Sequence, residues 1–173
     1  HRVDRRQRQM CIRDSYDSCL QWKADNVMAL NNYAYYLSEE GKDLHKAEAM
    51  SYKTIKAEPN NGTYLDTYAW ILFMEERYAD AKTYIDQALK NRDSTADNST
   101  VIEHAGDIYY MNGMADESVD FWKKAYTGEN QTEVLAWKIK NRQYITKEEL
   151  KKRNAPKQKP AATKKSVRKG KKK

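Results

Sequence analysis

The chain has 173 residues, of which 33% are charged, and its formal net charge is +7. No stretch approaches the roughly 18 apolar residues of a membrane-spanning helix, so no transmembrane segment is expected. The charge is uneven, because residues 151–173 carry twelve Lys or Arg and no acidic residue. Setting aside the +12 of this tail and the +3 of residues 1–15 leaves −8 for residues 16–150. The sequence therefore describes an acidic body with a basic tail.

Residues 5–15 match the translation, in one reading frame, of the adapter DNA used in transposase-based sequencing libraries. Eleven consecutive matches argue against coincidence, and the segment lacks the apolar or amphipathic stretch of a targeting peptide. We interpret residues 1–15 as an adapter-derived artefact. We expect further repeats to lie upstream of this segment. Any export signal, lipid anchor or catalytic domain is expected in the same upstream part. Without Cys11, a single cysteine (Cys19) remains, so no disulfide is expected.

Three stretches of the body resemble one another: 30–37, 65–72 and 102–109. Their starts are 35 and 37 residues apart, which is the period of a helix–turn–helix repeat array. Such a unit cannot bury its apolar face alone, so neighbouring units must stack. The spacing therefore predicts a helical solenoid.

The second unit shows the pattern most clearly. Leu65, Tyr68, Ala69 and Leu72 follow the i, i+3, i+4, i+7 spacing of one helix face. A turn is predicted at 75–77, followed by a second helix that packs back on the first. Small side chains recur at three equivalent places in each unit, where they allow close helix approach. They are Ala34, Ala47 and Thr54, then Ala69, Ala81 and Ala88, then Gly106, Ser118 and Ala125.

These small residues in register resemble the tetratricopeptide repeat (TPR) family, and in particular the C-terminal repeats of a bacterial TPR protein. The resemblance implies an all-α, right-handed solenoid of antiparallel helix pairs with a C-terminal capping helix and a disordered basic tail. The predicted division is 1–15 adapter, 16–25 the truncated end of an earlier repeat, 26–60, 61–98 and 99–129 three repeats, 130–150 the capping helix region, and 151–173 the tail. Within the cap, Thr146 and Glu149 have the spacing of a capping box.

In this family, partner segments lie along the first helices of successive units. Carried over by register, the predicted groove residues are Asn31, Tyr35, Asp66, Trp70, Phe73, Glu103, Asp107 and Tyr110. Exposed aromatic residues among charges are typical of interface hot spots. The alternative is that some of these rings pack against neighbouring helices. An acidic groove favours a basic or neutral protein segment as its partner.

The basic tail is the second candidate site. Its cations suit nucleic acid or an anionic surface, with strong salt dependence. The residues proposed for this contact are Lys151, Lys152, Arg153, Lys164, Lys165, Arg168, Lys169, Lys171, Lys172 and Lys173. Three alternatives remain open: a nuclear import signal, docking on the acidic body, and a purely solubilising role.

Enzymatic chemistry finds little support in the sequence. His45 is expected near a turn and exposed, and His104 on the side of its helix away from the groove. We find no metal-ligand spacing, phosphate-binding loop or nucleophile motif, and we predict no catalytic residue, metal or cofactor. The predicted function is a non-catalytic scaffold or adaptor in the bacterial cytoplasm or cell envelope. The alternative is polyanion binding through the tail, with the repeats as a spacer.

Overall fold

The computed structural model describes residues 5–93, 96, 98–127 and 130–155. This part of the chain contains nine α-helices and no strand. The helices are α1 (Arg5–Trp22), α2 (Val27–Glu40), α3 (Leu44–Ala57), α4 (Gly62–Met74), α5 (Tyr78–Asn91), α6 (Ser99–Met111), α7 (Ala115–Ala125), α8 (Glu133–Asn141) and α9 (Lys147–Asn154). None of these helices is both long enough and apolar enough to span a bilayer.

The helices pair in the order that the repeats predict. Helix α2 packs on α3, α4 on α5, and α6 on α7. The first helices α2, α4 and α6 also contact one another in sequence, so they form one layer of the structure. Contacts of α3 with α4 and of α5 with α6 join consecutive pairs. The predicted all-α, right-handed solenoid of helix pairs is confirmed.

The small residues lie where the helices approach most closely. Ala34, Ala69 and Ala81 are completely buried. Gly106 shows why size matters here, because an added Cβ would lie 2.4 Å from Cδ1 of Trp122 on the paired helix. Since a carbon atom cannot approach another that closely, the indole occupies the space a larger side chain would need.

Local signals set the helix ends. The side chain of Asn61 accepts hydrogen bonds from the backbone at the start of α4, which satisfies two of its free N–H groups. Gly41 ends α2 in the left-handed conformation (φ 62°), as glycine does after many helices. The capping box predicted for Thr146 and Glu149 is confirmed at the start of α9.

Two helices differ from the predicted boundaries. Helix α1 runs unbroken through residues 5–15, and Arg13 pairs with Asp43 at 3.0 Å, although a boundary was expected after residue 15. The adapter interpretation rests on the sequence and stays a prediction.

Helix α9 continues through Asn154, so the disorder predicted from Lys151 onward is corrected for the last turn of this helix. The capping box and the buried Leu150 hold this helix in place. Residues 156–173 lie outside the described residues.

Candidate binding groove

A groove of about 880 Å³ lies between the layer of first helices and the C-terminal residues 132–155. Helices α2, α4 and α6 supply one wall, including Tyr35, Trp70 and Asp107. Helices α8 and α9 and the loop between them supply the other, including Lys138 and Tyr144. The C-terminal region therefore covers part of the surface that the repeats alone would leave open.

A buried lysine joins the two walls. Nζ of Lys138 lies 2.7 and 2.8 Å from the two carboxylate oxygens of Asp107 and 3.1 Å from Oε1 of Glu103. The indole Nε1 of Trp122 also donates to Asp107, at 2.8 Å. Burial raises the pKa of Asp107, and the ammonium group of Lys138 opposes that rise. Each partner thus compensates the charge of the other, as a buried ion must be compensated.

A second buried pair joins α4 to α6. Nδ1 of His104 lies 3.0 and 3.1 Å from the carboxylate oxygens of Asp66. The imidazole also stacks on the indole of Trp70, with ring centroids 4.0 Å apart. Burial alone would lower the pKa of His104, but the charge and hydrogen bond of Asp66, together with the charges of Asp107 and Glu39, raise the pKa overall. The expectation that His104 faces away from the groove is therefore wrong, because its ring lies beside Trp70 and lines the groove.

Aromatic rings form a continuous row beneath the groove. Trp70 stacks on Phe73 at 4.8 Å between centroids, and the ring of Phe73 meets that of Tyr144 at 5.7 Å. Tyr144 also lies 6.5 Å from the ring of Tyr110. The indole Nε1 of Trp70 donates to Glu39 at 2.9 Å. This hydrogen bond and the stacking on Phe73 together fix the orientation of the indole ring. Burial is the main reason why the pKa of Tyr144 is raised.

The predicted groove residues fall into two groups. Five are buried: Asn31, Asp66, Trp70, Phe73 and Asp107. Three are partly buried: Tyr35, Glu103 and Tyr110. Four of the eight line the groove, namely Tyr35, Trp70, Glu103 and Asp107. Several rings thus pack against neighbours, which was the alternative left open by the sequence, and the binding role of the whole set stays a prediction.

The chain was compared with known proteins, and no protein-family model matches it. A TPR repeat-containing protein of Pseudomonas aeruginosa is 35% identical over 66 residues, which is 38% of this chain. The chain spans only 11% of that relative's length. Among solved structures, Pseudomonas aeruginosa PilF aligns with a TM-score of 0.65 over 79% of this chain and 61% of PilF, at 16% identity. The chain has the tetratricopeptide repeat fold.

Two further TPR structures align with the chain. The first TPR domain of human RPAP3 covers 67% of this chain and 88% of that domain, with a TM-score of 0.57 and 14% identity. YrrB, described as a TPR protein with an unusual peptide-binding site, covers 72% of this chain and 62% of its own, with a TM-score of 0.58 and 14% identity. At these identities the likeness establishes the fold alone.

Lys138 and Tyr144, which complete the groove from the C-terminal side, were not among the groove residues predicted from the sequence. Lys138 lies on the inward face of α8, one turn after the buried Leu135, where its charge needs a partner. The acidic positions Glu103 and Asp107 on α6 were the available signal. Tyr144 gave no such signal, because it lies in the loop between α8 and α9 and reaches the repeats only through the path of that loop.

The structure describes only the start of the predicted basic site. Lys151, Lys152 and Arg153 are exposed on the last turn of α9, and Arg153 lies 5.2 Å from the centre of the Trp137 ring. The other predicted tail contacts lie outside the described residues: Lys164, Lys165, Arg168, Lys169, Lys171, Lys172 and Lys173. Polyanion binding stays a prediction.

Proposed function

We propose that the chain is a non-catalytic protein-interaction scaffold that holds a segment of a partner protein in the groove. The observation that carries the proposal is the groove of about 880 Å³ itself, walled by repeats and cap and lined with aromatic rings. Stacked helical repeats commonly use such extended surfaces for binding, and the TPR fold supports this role in general terms.

The charges of the groove favour a basic or neutral segment. The two buried aspartates are already paired, Asp107 with Lys138 and Asp66 with His104. Preference for a cationic partner must therefore come from the exposed carboxylates on the walls, which are Glu39, Glu133 and Glu148. Glu39 and Glu133 accept hydrogen bonds from uncharged groups of Trp70 and Asn154, so they keep their negative charge. The three carboxylates outnumber the two exposed lysines of the groove, Lys147 and Lys151.

The burial of each groove residue decides which substitutions can test binding without disturbing the packing. Trp70 and Asp66 are buried and tied to His104, so changing them disturbs packing as well as binding. Thr100 and Glu148 are exposed and line opposite walls, so they can be changed without opening the core. Glu117, exposed at the start of α7 and outside the groove, offers a matched control for charge reversal.

The experiment measures fluorescence anisotropy with two labelled peptide pools of equal length. One pool mixes Lys and Arg with Leu and Tyr, and the other replaces the cations by Asp and Glu. We expect the basic pool to bind more tightly, and Thr100→Arg and Glu148→Lys each to weaken it by about tenfold, which is about 1.4 kcal/mol. Glu117→Lys should bind as the unaltered chain does. Failure of both pools to bind, or full binding by both groove variants, would refute the proposal.

The alternative function is polyanion binding by the tail, favoured by the exposed cluster of Lys151, Lys152 and Arg153 on α9. Removing residues 156–173 takes away nine positive charges and leaves α9 whole. If the groove is the binding site, this deletion leaves peptide affinity unchanged. If it abolishes peptide binding, and an oligonucleotide binds the full chain with a steep salt dependence, the tail is the functional element.

A further inference from the structure

A second polar cluster lies away from the groove, where the start of α3 meets the end of α4. It contains His45, Glu48 and Glu75, whose potential ligand atoms all lie within 4.8 Å of one another. None of the three lines the groove. We propose that this cluster binds a divalent transition metal of the Zn²⁺ class, through one imidazole nitrogen and two carboxylate groups.

The backbone brings the three side chains together from two helices. His45 and Glu48 are three residues apart on α3, so they lie on one face of that helix. Glu75 follows the last residue of α4, and its N–H group bonds to the carbonyl of Ile71. The ligands thus come from two elements that are distant in sequence. This is why metal-ligand spacing was not visible in the sequence.

The decisive observation is a buried oxygen without a hydrogen bond. The side chain of Glu75 is only 9% exposed, and among the described residues no donor bonds to its Oε1. A buried carboxylate oxygen left unsatisfied is costly. Its position makes this worse, because the C-terminal end of a helix such as α4 already carries negative potential. A cation at Oε1 would relieve both costs.

The distance to His45 suits a metal between the two groups. Nδ1 of His45 lies 3.4 Å from Oε1 of Glu75. In tetrahedral zinc with bonds of about 2.0–2.2 Å, neighbouring ligand atoms are separated by about 3.3–3.6 Å. The side chain of His45 is fully exposed, so small rotations of its ring are unhindered. Three protein ligands would leave one position for water.

Arg77 already places a positive charge beside this cluster, which by itself would argue against a bound metal ion. It donates to Oε1 of Glu48 at 2.7 Å, to Oε2 of Glu75 at 3.3 Å, and to Asp80 at 3.1 Å. One positive charge among three carboxylates leaves two negative charges, which match a divalent ion. Arg77 bonds to Oε2 of Glu75, so Oε1 has no hydrogen bond from it and faces Nδ1 of His45 at 3.4 Å. It therefore serves to orient the carboxylates, as outer hydrogen bonds do at metal sites.

The test is titration calorimetry of the full chain with ZnCl₂. We expect one site, weakened about tenfold or more in both His45→Ala and Glu75→Gln. His45→Ala removes an exposed side chain and leaves packing intact. Glu75→Gln keeps every histidine and cysteine of the chain. A loss of Zn²⁺ affinity in this variant therefore cannot be caused by the loss of a Zn²⁺ site that those residues form elsewhere. Glu117→Gln is the control for an exposed carboxylate and should bind as the unaltered chain does.

Thermal unfolding supplies a second readout, because a ligand that binds the folded state raises the midpoint. We expect Zn²⁺ to raise it in the unaltered chain and in the groove variant Glu148→Lys, but not in His45→Ala. Absence of Zn²⁺ binding by the full chain would overturn the proposal and leave His45 and Glu75 as neighbouring side chains without a metal. Equal affinity in the two site variants and the unaltered chain would overturn it as well.

Discussion

Replacing Lys138 by methionine tests whether a buried ion pair holds the C-terminal cap to the repeats. Methionine keeps much of the side-chain length but removes the ammonium group that lies 2.7 and 2.8 Å from the oxygens of Asp107. Both side chains are only 4% exposed, so little water reaches the pair in the unaltered chain. Breaking a buried pair by removing one member typically costs about 3–5 kcal/mol. We expect a loss of this size in the free energy of unfolding.

The double variant Lys138→Met with Asp107→Asn separates charge from packing. Asparagine carries no charge and can still accept the hydrogen bond that Trp122 donates to Asp107. We expect the double variant to recover about half of the loss or more, because replacing both members of a buried pair is often nearly neutral. Urea unfolding followed by tryptophan fluorescence measures each free energy. A single variant that loses less than about 1 kcal/mol, or a double variant no more stable than it, would refute the reasoning.

The same pair predicts a pH dependence. Burial raises the pKa of Asp107 and Lys138 opposes the rise, so Lys138→Met should raise this pKa further. A carboxyl group whose pKa is raised in the folded state holds its proton more tightly there than in the unfolded chain. The folded state therefore loses stability as the pH rises through that pKa. The defect of Lys138→Met should therefore be smaller at about pH 5 than at about pH 7. An equal defect at both pH values would show that Asp107 does not titrate in this way.

Two further predictions concern the packing beneath the groove. Gly106→Ala places a carbon 2.4 Å from Trp122, so urea unfolding should show a loss of about 1–3 kcal/mol. A more stable variant would mean that the better helix propensity of alanine prevails. Asp66→Asn removes the carboxylate that raises the pKa of His104 above its ordinary 6.5. The pair of Asp66 with protonated His104 stabilises the folded chain below about pH 6.5, and this stabilisation is lost as the pH rises through the raised pKa of His104. The free energy of unfolding of the variant should therefore fall most at about pH 5 and less at about pH 9. A loss independent of pH would contradict the pairing.

Much of the groove's location, but little of its chemistry, could be predicted. Repeat register placed Tyr35, Trp70 and Asp107 along one surface, and all three line the groove. The register did not show that Asp107 is already neutralised, because its partner Lys138 lies beyond the repeats. His104 was assigned to the opposite face of α6. Helix periodicity gives the angle of a side chain around its own axis, but where the neighbouring helix lies decides what that side chain meets.

The sequence by itself determined the all-α solenoid, because small residues such as Ala69 and Ala81 recur at helical spacing and local caps mark the helix ends. These are short-range signals, written within each repeat. Only the tertiary structure decided that Tyr144 returns over the repeats, and that His45 meets Glu75 across two helices. Those contacts depend on the path of loops and on complementary charges far apart in the chain, which no local pattern encodes.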